Sequence, residues 1–157
     1  MNVKNRLDLK ASRKTLLLVD DDPAVRAMIG RVLTEEGYLV LSAANGAEAI
    51  GIAAANHVDL ALLDLNMPVK NGWDTFERLT SEDPLLAVII ITARPNQLFT
   101  ALGAGVGALL EKPLDFPKLL ETVKLLLAEP TGSRLARLTG RATGFHYLPS
   151  TGKEPPG

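Results

Sequence analysis

Residues 60–68 read Leu-Ala-Leu-Leu-Asp-Leu-Asn-Met-Pro, and this stretch decides the fold. A short apolar run without polar alternation is typical of a strand that is buried on both faces of a sheet. Here the run ends in the carboxylate of Asp64. Upstream, the apolar residues 16–19 lead directly into Asp20, Asp21 and Asp22. Because open parallel sheets bind ligands beyond the carboxyl ends of their strands, two such strands would bring several carboxylates to one edge.

The segment from about residue 15 to residue 129 alternates strand and helix signals five times. Apolar runs predict strands at 15–19, 39–43, 59–63, 86–91 and 107–110. Apolar stripes at 25–33 and 116–127 have the 3.6-residue period of amphipathic helices. Asp22 followed by Pro23, and Asp115 further on, are helix-start signals. Five βα units predict an α/β fold with a doubly wound, five-stranded parallel sheet.

The composition is typical of a globular domain with a substantial core, since 46% of the 157 residues are hydrophobic and 22% are charged. The absence of cysteine excludes a disulfide, a thiol nucleophile and a Cys-ligated zinc site. No apolar stretch approaches the roughly 18 residues that cross a bilayer. The first fourteen residues also lack the apolar core of a signal peptide. We therefore expect a cytoplasmic protein without membrane insertion.

The net charge of −1 is unevenly distributed along the chain. Residues 1–14 carry five basic and one acidic side chain, residues 131–157 carry four and one, and residues 15–130 carry 8 and 16. Because an acidic body lacks the clustered Lys and Arg that phosphate backbones require, we expect no nucleic-acid partner. Residues 1–14 are predicted to be a flexible basic lead. Residues 130–157 are predicted to be a basic tail that is disordered or docks on a partner.

Polar side chains follow four of the predicted strands at the point where each strand ends. They are Asp20 and Asp21, Asp64 with Asn66, Thr92, and Lys112 before Pro113. Carboxylates that share a site repel one another unless a positive charge compensates. Oxygen ligands of this kind suit Mg²⁺, which binds through one or two carboxylates together with a phosphate. The set is typical of phosphoryl transfer, in which an aspartate can be the nucleophile.

Residues 15–128, within a receiver domain predicted over 15–129, resemble the receiver domain of two-component response regulators, of the chemotaxis-regulator type with a flavodoxin-like fold and strand order 2-1-3-4-5. The resemblance rests on several motifs taken together: Leu-Leu-Val-Asp-Asp-Asp-Pro (17–23), Glu-Gly-Tyr (36–38), Ala-Asn-Gly-Ala-Glu-Ala (44–49), Asp-Leu-Asn-Met-Pro (64–68), Asn-Gly-Trp (71–73), Ile-Thr-Ala (91–93), Gly-Ala-Gly (103–105) and Glu-Lys-Pro (111–113). Any one of these motifs alone would be weak.

The resemblance implies a role for each residue that matches a family position. Asp64 matches the phosphoacceptor, which receives a phosphoryl group from a histidine of a sensor kinase. Asp21 matches the direct Mg²⁺ ligand, Asp20 the neighbour that holds the metal through water, and the backbone carbonyl of Asn66 a further ligand. Lys112 matches the lysine that pairs with the phosphoacceptor and then with the phosphoryl oxygens. The family also has a cis bond before the following proline, here Pro113.

The remaining positions concern the output of the domain. Thr92 matches the switch hydroxyl, and Asn66 and Arg94 match positions that tune dephosphorylation. The family's usual aromatic switch residue, three positions before the lysine, is Leu109 here. This departure puts the form of the conformational output in doubt, while the phosphorylation chemistry is expected to survive.

We therefore expect a single-domain response regulator that is not an enzyme, although it can promote its own phosphotransfer and dephosphorylation. Its expected partners are a sensor histidine kinase or histidine phosphotransfer protein and a downstream protein target, with a phosphorylation-dependent dimer as an option. One alternative is a haloacid-dehalogenase-like phosphohydrolase, whose signature is Asp-x-Asp-x-Thr. Residues 20–24 supply the two acids of that signature but have Ala24 where the threonine belongs. Another is a phosphorylation-independent interaction module, which Leu109 motivates.

Overall fold

The computed structural model describes residues 13–66, 72–94, 96–141 and 144–150. Its six strands form one parallel sheet in the order β2-β1-β3-β4-β5-β6. The strands are β1 (Thr15–Val19), β2 (Leu39–Ala43), β3 (Leu60–Asp64), β4 (Ala87–Thr92), β5 (Ala108–Glu111) and β6 (His146–Leu148). The predicted α/β architecture and the order 2-1-3-4-5 are confirmed. The predicted count of five strands is corrected to six, because β6 pairs with the outer edge of β5.

Six helices accompany the strands in the described part of the chain. They are α1 (Pro23–Glu35), α2 (Gly46–Ala55), α3 (Gly72–Glu82), α4 (Leu98–Ala104), α5 (Phe116–Leu127) and α6 (Thr131–Leu138). Asp22 caps α1 by accepting hydrogen bonds from the amides of Ala24 and Val25, at 2.9 and 3.3 Å. Asp115 caps α5 through the amide of Lys118 at 3.1 Å. Both aspartates therefore act as the sequence predicts.

The sheet is buried on both faces, which explains the continuous apolar runs in its central strands. One core contains Leu17, Leu63 and Ile90 of the sheet and packs against α2, α3 and α4. The other contains Leu62 and Ile89 and packs against α1 and α5. Alternate residues of each strand point into opposite cores because successive side chains of a strand leave opposite faces.

The C-terminal segment differs from its expectation. Where a disordered or docking tail was predicted, residues 131–138 form α6 and residues 146–148 form β6. A three-residue strand is too short to leave a periodic signal in the sequence. Helix α6 has a buried cation, Arg137, which forms an ion pair with Glu129. The sequence alone therefore does not indicate β6 or α6, because β6 depends on its pairing with β5 and α6 on the ion pair between Arg137 and Glu129.

Among the described residues, no helix combines the length and the hydropathy that crossing a membrane would need.

Gly72 lies at the start of α3, where the helix approaches the end of β3. A Cβ atom at this position would lie 2.7 Å from Leu65 Cα and 2.8 Å from the carbonyl oxygen of Asp64. Both of these are backbone atoms, so they cannot give way as a flexible side chain would. The close approach of α3 to the end of β3 therefore requires glycine.

We predict that Gly72→Ala lowers the free energy of unfolding by about 1–3 kcal/mol, as overpacking usually does. Gly51→Ala is the matched control, because Gly51 lies inside α2 with open space around its Cα. The control is expected to raise the free energy of unfolding by about 0.5–1 kcal/mol. Urea denaturation of both variants measures the difference, and equal midpoints would contradict the described packing of α3.

Candidate functional site

The carboxyl ends of four strands meet at one edge of the sheet. Strand β3 ends at Asp64, which is in register with Ile91 of β4, and Thr92 at the end of β4 is in register with Glu111 of β5. Asp20 follows β1, and Lys112 follows β5. Parallel pairing therefore gathers the polar residues that the sequence places after separate strands.

Three carboxylates form a cluster at this edge. Oxygen atoms of Asp20, Asp21 and Asp64 lie within 4.8 Å of one another. Asp20 and Asp64 are almost completely buried, with 1% and 2% of their surface exposed, whereas Asp21 is exposed. The site is thus open on the side of Asp21 and closed around the other two acids.

Lys112 reaches both buried carboxylates. Its Nζ lies 3.3 Å from Oδ2 of Asp20 and 3.4 Å from Oδ2 of Asp64. Burial alone would lower the pKa of Lys112, but the charges of Asp64 and Asp20 outweigh burial and raise this pKa above its ordinary value. The ammonium group therefore stays charged at neutral pH. The amide of Lys112 also donates to the carbonyl of Thr92 at 2.8 Å, which fixes the lysine to the end of β4.

The surroundings of Asp20 shift its pKa. Burial raises the pKa of Asp20, and the nearby charge of Asp64 adds to the rise. The hydrogen bond from the Asp22 amide and the charge of Lys112 oppose this shift without cancelling it. A raised pKa means that the folded protein disfavours the ionised form of Asp20. A bound cation would remove that penalty.

Backbone and side-chain donors hold the carboxylates in place. The Asp22 amide donates to Oδ1 of Asp20 at 2.9 Å, and the Asn66 amide donates to Oδ1 of Asp64 at 3.0 Å. In addition, Nη1 of Arg26 donates to the backbone carbonyl of Asp20 at 2.6 Å. Sequence reasoning missed Arg26. Its signal is an arginine in the first turn of the helix that follows the acidic triplet.

The residues of the predicted output and tuning positions lie around this cluster. Thr92 is fully buried at the end of β4, and its hydroxyl accepts a hydrogen bond from the Arg94 amide at 2.8 Å. Leu109 is also fully buried, in the core that faces α4, whereas Arg94 is exposed. Asn66 is half-buried next to Asp64. The Lys112–Pro113 peptide bond is cis, as the resemblance implies.

The donor set suits a hard divalent cation. Three carboxylates with atoms within 4.8 Å of one another supply oxygen ligands only, as Mg²⁺ prefers. Burial, with the charge of Asp64 adding to it, raises the pKa of Asp20, so a cation beside this carboxylate would favour its ionised form. The residues present therefore fit a magnesium ion.

The comparison with protein families decides the assignment. The model of the response regulator receiver domain matches residues 16–124, which contain every residue of the acidic cluster and Lys112. The chain belongs to the response regulator receiver family.

Solved structures of receiver domains have the same fold. A CheY-like receiver domain protein from Methanospirillum hungatei JF-1 is 31% identical with a TM-score of 0.71, covering 74% of this chain and 94% of that one. The response regulator TrrA from Thermotoga maritima, solved in complex with Mg²⁺ and BeF, is 30% identical with a TM-score of 0.67. That match covers 72% of this chain and 98% of the other.

Curated relatives are larger proteins that contain a receiver domain. The transcriptional regulatory protein GlrR of Escherichia coli (strain K12) is 37% identical over 110 residues, which cover 69% of this chain and 25% of the relative. The transcriptional regulatory protein CpxR of Klebsiella pneumoniae is 39% identical over 116 residues, which cover 71% of this chain and 48% of the relative. The receiver chain therefore spans about a quarter to a half of these relatives.

We predict that Asp20→Asn stabilises the metal-free receiver at pH 7 while weakening its binding of Mg²⁺. Asparagine keeps the acceptor for the Asp22 amide and removes the buried charge. Because the folded-state pKa of Asp20 lies above its ordinary value of 3.8, the ionised group lowers stability at neutral pH. The thermal midpoint should rise by a few degrees, since about 1 kcal/mol moves that of a domain this size by about 2–4 °C.

The same linkage gives the pH dependence of this difference. The gain of Asp20→Asn is complete above the raised pKa and disappears below 3.8, where the acid is protonated in both the folded and the unfolded chain. Calorimetry across pH 3–7 without metal checks the trend, with Asp83→Asn as an exposed control. A lower thermal midpoint for Asp20→Asn than for wild type at pH 7 would contradict the argument that the ionised form of Asp20 lowers the stability of the folded protein.

Proposed function

We propose that this receiver accepts a phosphoryl group on Asp64 from a phosphohistidine of a sensor kinase or phosphotransfer protein. The observation that supports the proposal most directly is the contact of Lys112 with both Asp20 and Asp64 beside the exposed Asp21. A buried carboxylate with a lysine on one side and an open acidic ligand on the other can receive phosphorus and neutralise the charge that arrives with it.

In the proposed reaction, a carboxylate oxygen of Asp64 attacks the phosphorus while the bond from phosphorus to the donor's imidazole nitrogen breaks. The product is an aspartyl phosphate, and the imidazole leaves as the free base or takes a proton from solvent. Water later cleaves the new phosphorus–oxygen bond and regenerates the carboxylate with inorganic phosphate. Asn66 and Arg94 are proposed to set the rate of that loss. No further substrate is turned over, so the domain acts as a signalling acceptor.

The ligands proposed for Mg²⁺ are the carboxylates of Asp21 and Asp64, the backbone carbonyl of Asn66, and Asp20 through water. When bound, the ion offsets negative charge on the transferring phosphoryl group. The chain's own contribution is positional: the Asn66 amide holds one oxygen of Asp64, and Lys112 contacts the other. Lys112 is proposed to move its ion pair from Asp64 to the phosphoryl oxygens.

Output is proposed to run through Thr92. Its hydroxyl is engaged with the Arg94 amide, so a new bond to a phosphoryl oxygen would compete with that contact. Such a change would bias a two-state equilibrium of the loops after β4 and β5 and thereby alter protein contacts. Leu109, in the neighbouring strand β5, is buried in the core and has no polar group that could form a hydrogen bond with Thr92. The proposed target of the signal is a downstream protein. A phosphorylation-dependent dimer is one form that the altered protein contacts can take.

The acidic body of residues 15–130 supports protein rather than nucleic-acid contact by this domain itself. The proposal places the receiver in the cytoplasm, where ATP charges the kinase. The names of the larger relatives state a transcriptional role, and a stand-alone action of this chain is part of the proposal.

We predict that acetyl phosphate with Mg²⁺ labels Asp64 and that Asp64→Asn abolishes the label. Peptide mass spectrometry after trapping the acyl phosphate locates the modified residue. Asp83→Asn, an exposed acid before β4, is the control and should label as wild type does. Label on Asp20 instead would support the haloacid-dehalogenase-like alternative. An Asp64→Asn variant that signals normally in its pathway would support the phosphorylation-independent module.

The kinase is proposed to dock beside Lys112. An apolar groove of about 210 Å³ lies there, between α1 and the start of α5. It is lined by Val25, Met28, Ile29, Lys112, Pro113, Leu114 and Phe116. The donor histidine must approach Asp64 within bonding distance, so its domain has to cover the rim of the site. Met28 is half exposed on that rim and offers apolar surface to a partner.

We predict that Met28→Glu slows phosphotransfer from the cognate kinase about tenfold, which corresponds to a contact of about 1.4 kcal/mol. Labelling by acetyl phosphate should stay unchanged, because this small donor needs no docking surface. Leu125→Glu is the matched control, since Leu125 is 48% exposed on α5 and Met28 is 50% exposed on α1. Equal phosphotransfer rates for wild type and Met28→Glu would exclude the groove as the docking site.

A further inference from the structure

Residues 131–150 lie beyond the stretch that matches the receiver family, yet they complete the sheet. Helix α6 packs near the end of α5, and β6 adds to the edge of β5. The two elements are attached by different contacts: α6 by buried ion pairs, and β6 by backbone pairing and apolar packing at the edge of the sheet.

Helix α6 is firmly anchored. Arg137 is only 4% exposed and forms a two-pronged ion pair with Glu129, in which Nη2 donates to Oε1 at 2.6 Å. Arg134 donates to the carbonyl of Leu126 at 3.0 Å and to that of Leu85 at 3.2 Å. Separating such a buried pair would leave one of its charges buried without compensation, which is costly. Helix α6 is therefore expected to keep its place when other parts open locally.

Strand β6 is held differently: it pairs with β5, and Phe145, Tyr147 and Leu148 pack against the cores of the sheet, but no buried ion pair holds it among the contacts described for this segment. It has three residues, all half-buried, and at its start the His146 amide donates to the carbonyl of Gly107 at 3.0 Å. At the other end, the Ser150 amide reaches Oε1 of Glu111 at 3.4 Å, close to the limit of a hydrogen bond. A strand of three residues at the edge of a sheet has few backbone hydrogen bonds to break when it opens locally.

Glu111 connects this strand to the phosphorylation site. It is the last residue of β5, is only 9% exposed, lies in register with Thr92, and directly precedes Lys112. From the other side, burial together with a hydrogen bond and the charge of Glu111 raises the pKa of Tyr147 in β6. Tyr147 is itself in register with Leu109. The buried carboxylate of Glu111 thus contacts Tyr147 and Ser150, while Glu111 itself is next to Thr92 across the sheet and to Lys112 along the chain.

We propose that β6 is a releasable strand whose attachment to β5 is coupled to the state of the acidic site through Glu111. The inference rests on the proposed function. In the proposed coupling, the shift of the Lys112 side chain from Asp64 to a phosphoryl oxygen acts on Glu111 through the peptide bond that joins the two residues, against the restraint of the hydrogen bond from the Lys112 amide to the Thr92 carbonyl. Because the Ser150–Glu111 contact is already long, displacement of Glu111 weakens it, and β6 detaches more often. Helix α6 stays in place because the ion pairs and hydrogen bonds of its two arginines lie away from the site.

Hydrogen exchange tests the proposal on the full chain. The probe is Mg²⁺ with beryllium fluoride, the pair bound in the Thermotoga maritima relative. Exchange of the amides of residues 146–148 should accelerate by about fivefold or more when the probe binds, the lower end of typical coupling between two sites. Amides of α6 should not change. Equal exchange of residues 146–148 with and without bound probe would overturn the proposal.

Tyr147→Phe provides an independent test, because it removes one hydroxyl and keeps the aromatic packing. In the free protein its β6 amides should exchange faster than those of wild type. Coupling is reciprocal, so a variant with a loosened strand should bind the probe more tightly, by up to the same factor of about five. Tyr38→Phe is the matched control, since Tyr38 is the other tyrosine and lies before β2. An affinity and an exchange rate equal to wild type in Tyr147→Phe would overturn the role of Glu111.

Failure of the coupling and failure of the proposed function give different results. If titration calorimetry detects no binding of the probe to the wild-type chain and acetyl phosphate leaves Asp64 unlabelled, the proposed function is wrong and the coupling falls with it. If the probe binds and Asp64 is labelled while β6 exchanges at one rate in both states, only the coupling is wrong.

Discussion

The contact of Lys112 with Asp20 and Asp64 is the interaction on which the site depends. These two carboxylates are almost completely buried and lie within 4.8 Å of each other and of the exposed Asp21. Without the ammonium group 3.3 and 3.4 Å away, ionising both would be costly. With it, the two buried carboxylates share one cation, and burial together with the charge of Asp64 still raises the pKa of Asp20. The site thus offers oxygen ligands to a cation beside a charged lysine.

The sheet explains why residues so distant in the chain make this contact. Parallel strands that are buried on both faces need continuous apolar runs, and polar residues are excluded until each run ends. The end of the strand is then the first place where a carboxylate is tolerated. Asp64, Thr92 and Lys112 follow that rule, so their meeting could be predicted from the sequence. The strand order could be predicted only through the family resemblance, because apolar runs do not specify which strands are neighbours.

What could not be predicted depends on contacts without a local pattern. Arg26 acts through a carbonyl oxygen of Asp20, and any arginine in the first turn of α1 has the same appearance in the sequence. Helix α6 depends on the pairing of Arg137 with Glu129, two charges that look like ordinary surface residues until burial is known. Strand β6 has three residues, and its Pro- and Gly-rich surroundings resemble those of a flexible tail. Each of these features becomes favourable only through its tertiary partner.

Leu109 shows how the extra strand changes the interpretation of the domain. A leucine at this position has no hydroxyl with which to report the state of Thr92, so the sequence leaves the output without an aromatic residue. In the structure, Tyr147 of β6 is in register with Leu109, and its hydroxyl is linked to Glu111. An aromatic side chain therefore does lie beside the path from the site, but it is supplied by a neighbouring strand. A signal that passes this point would change the attachment of β6 rather than the rotamer of a core residue, and the C-terminal segment would then be part of the switch.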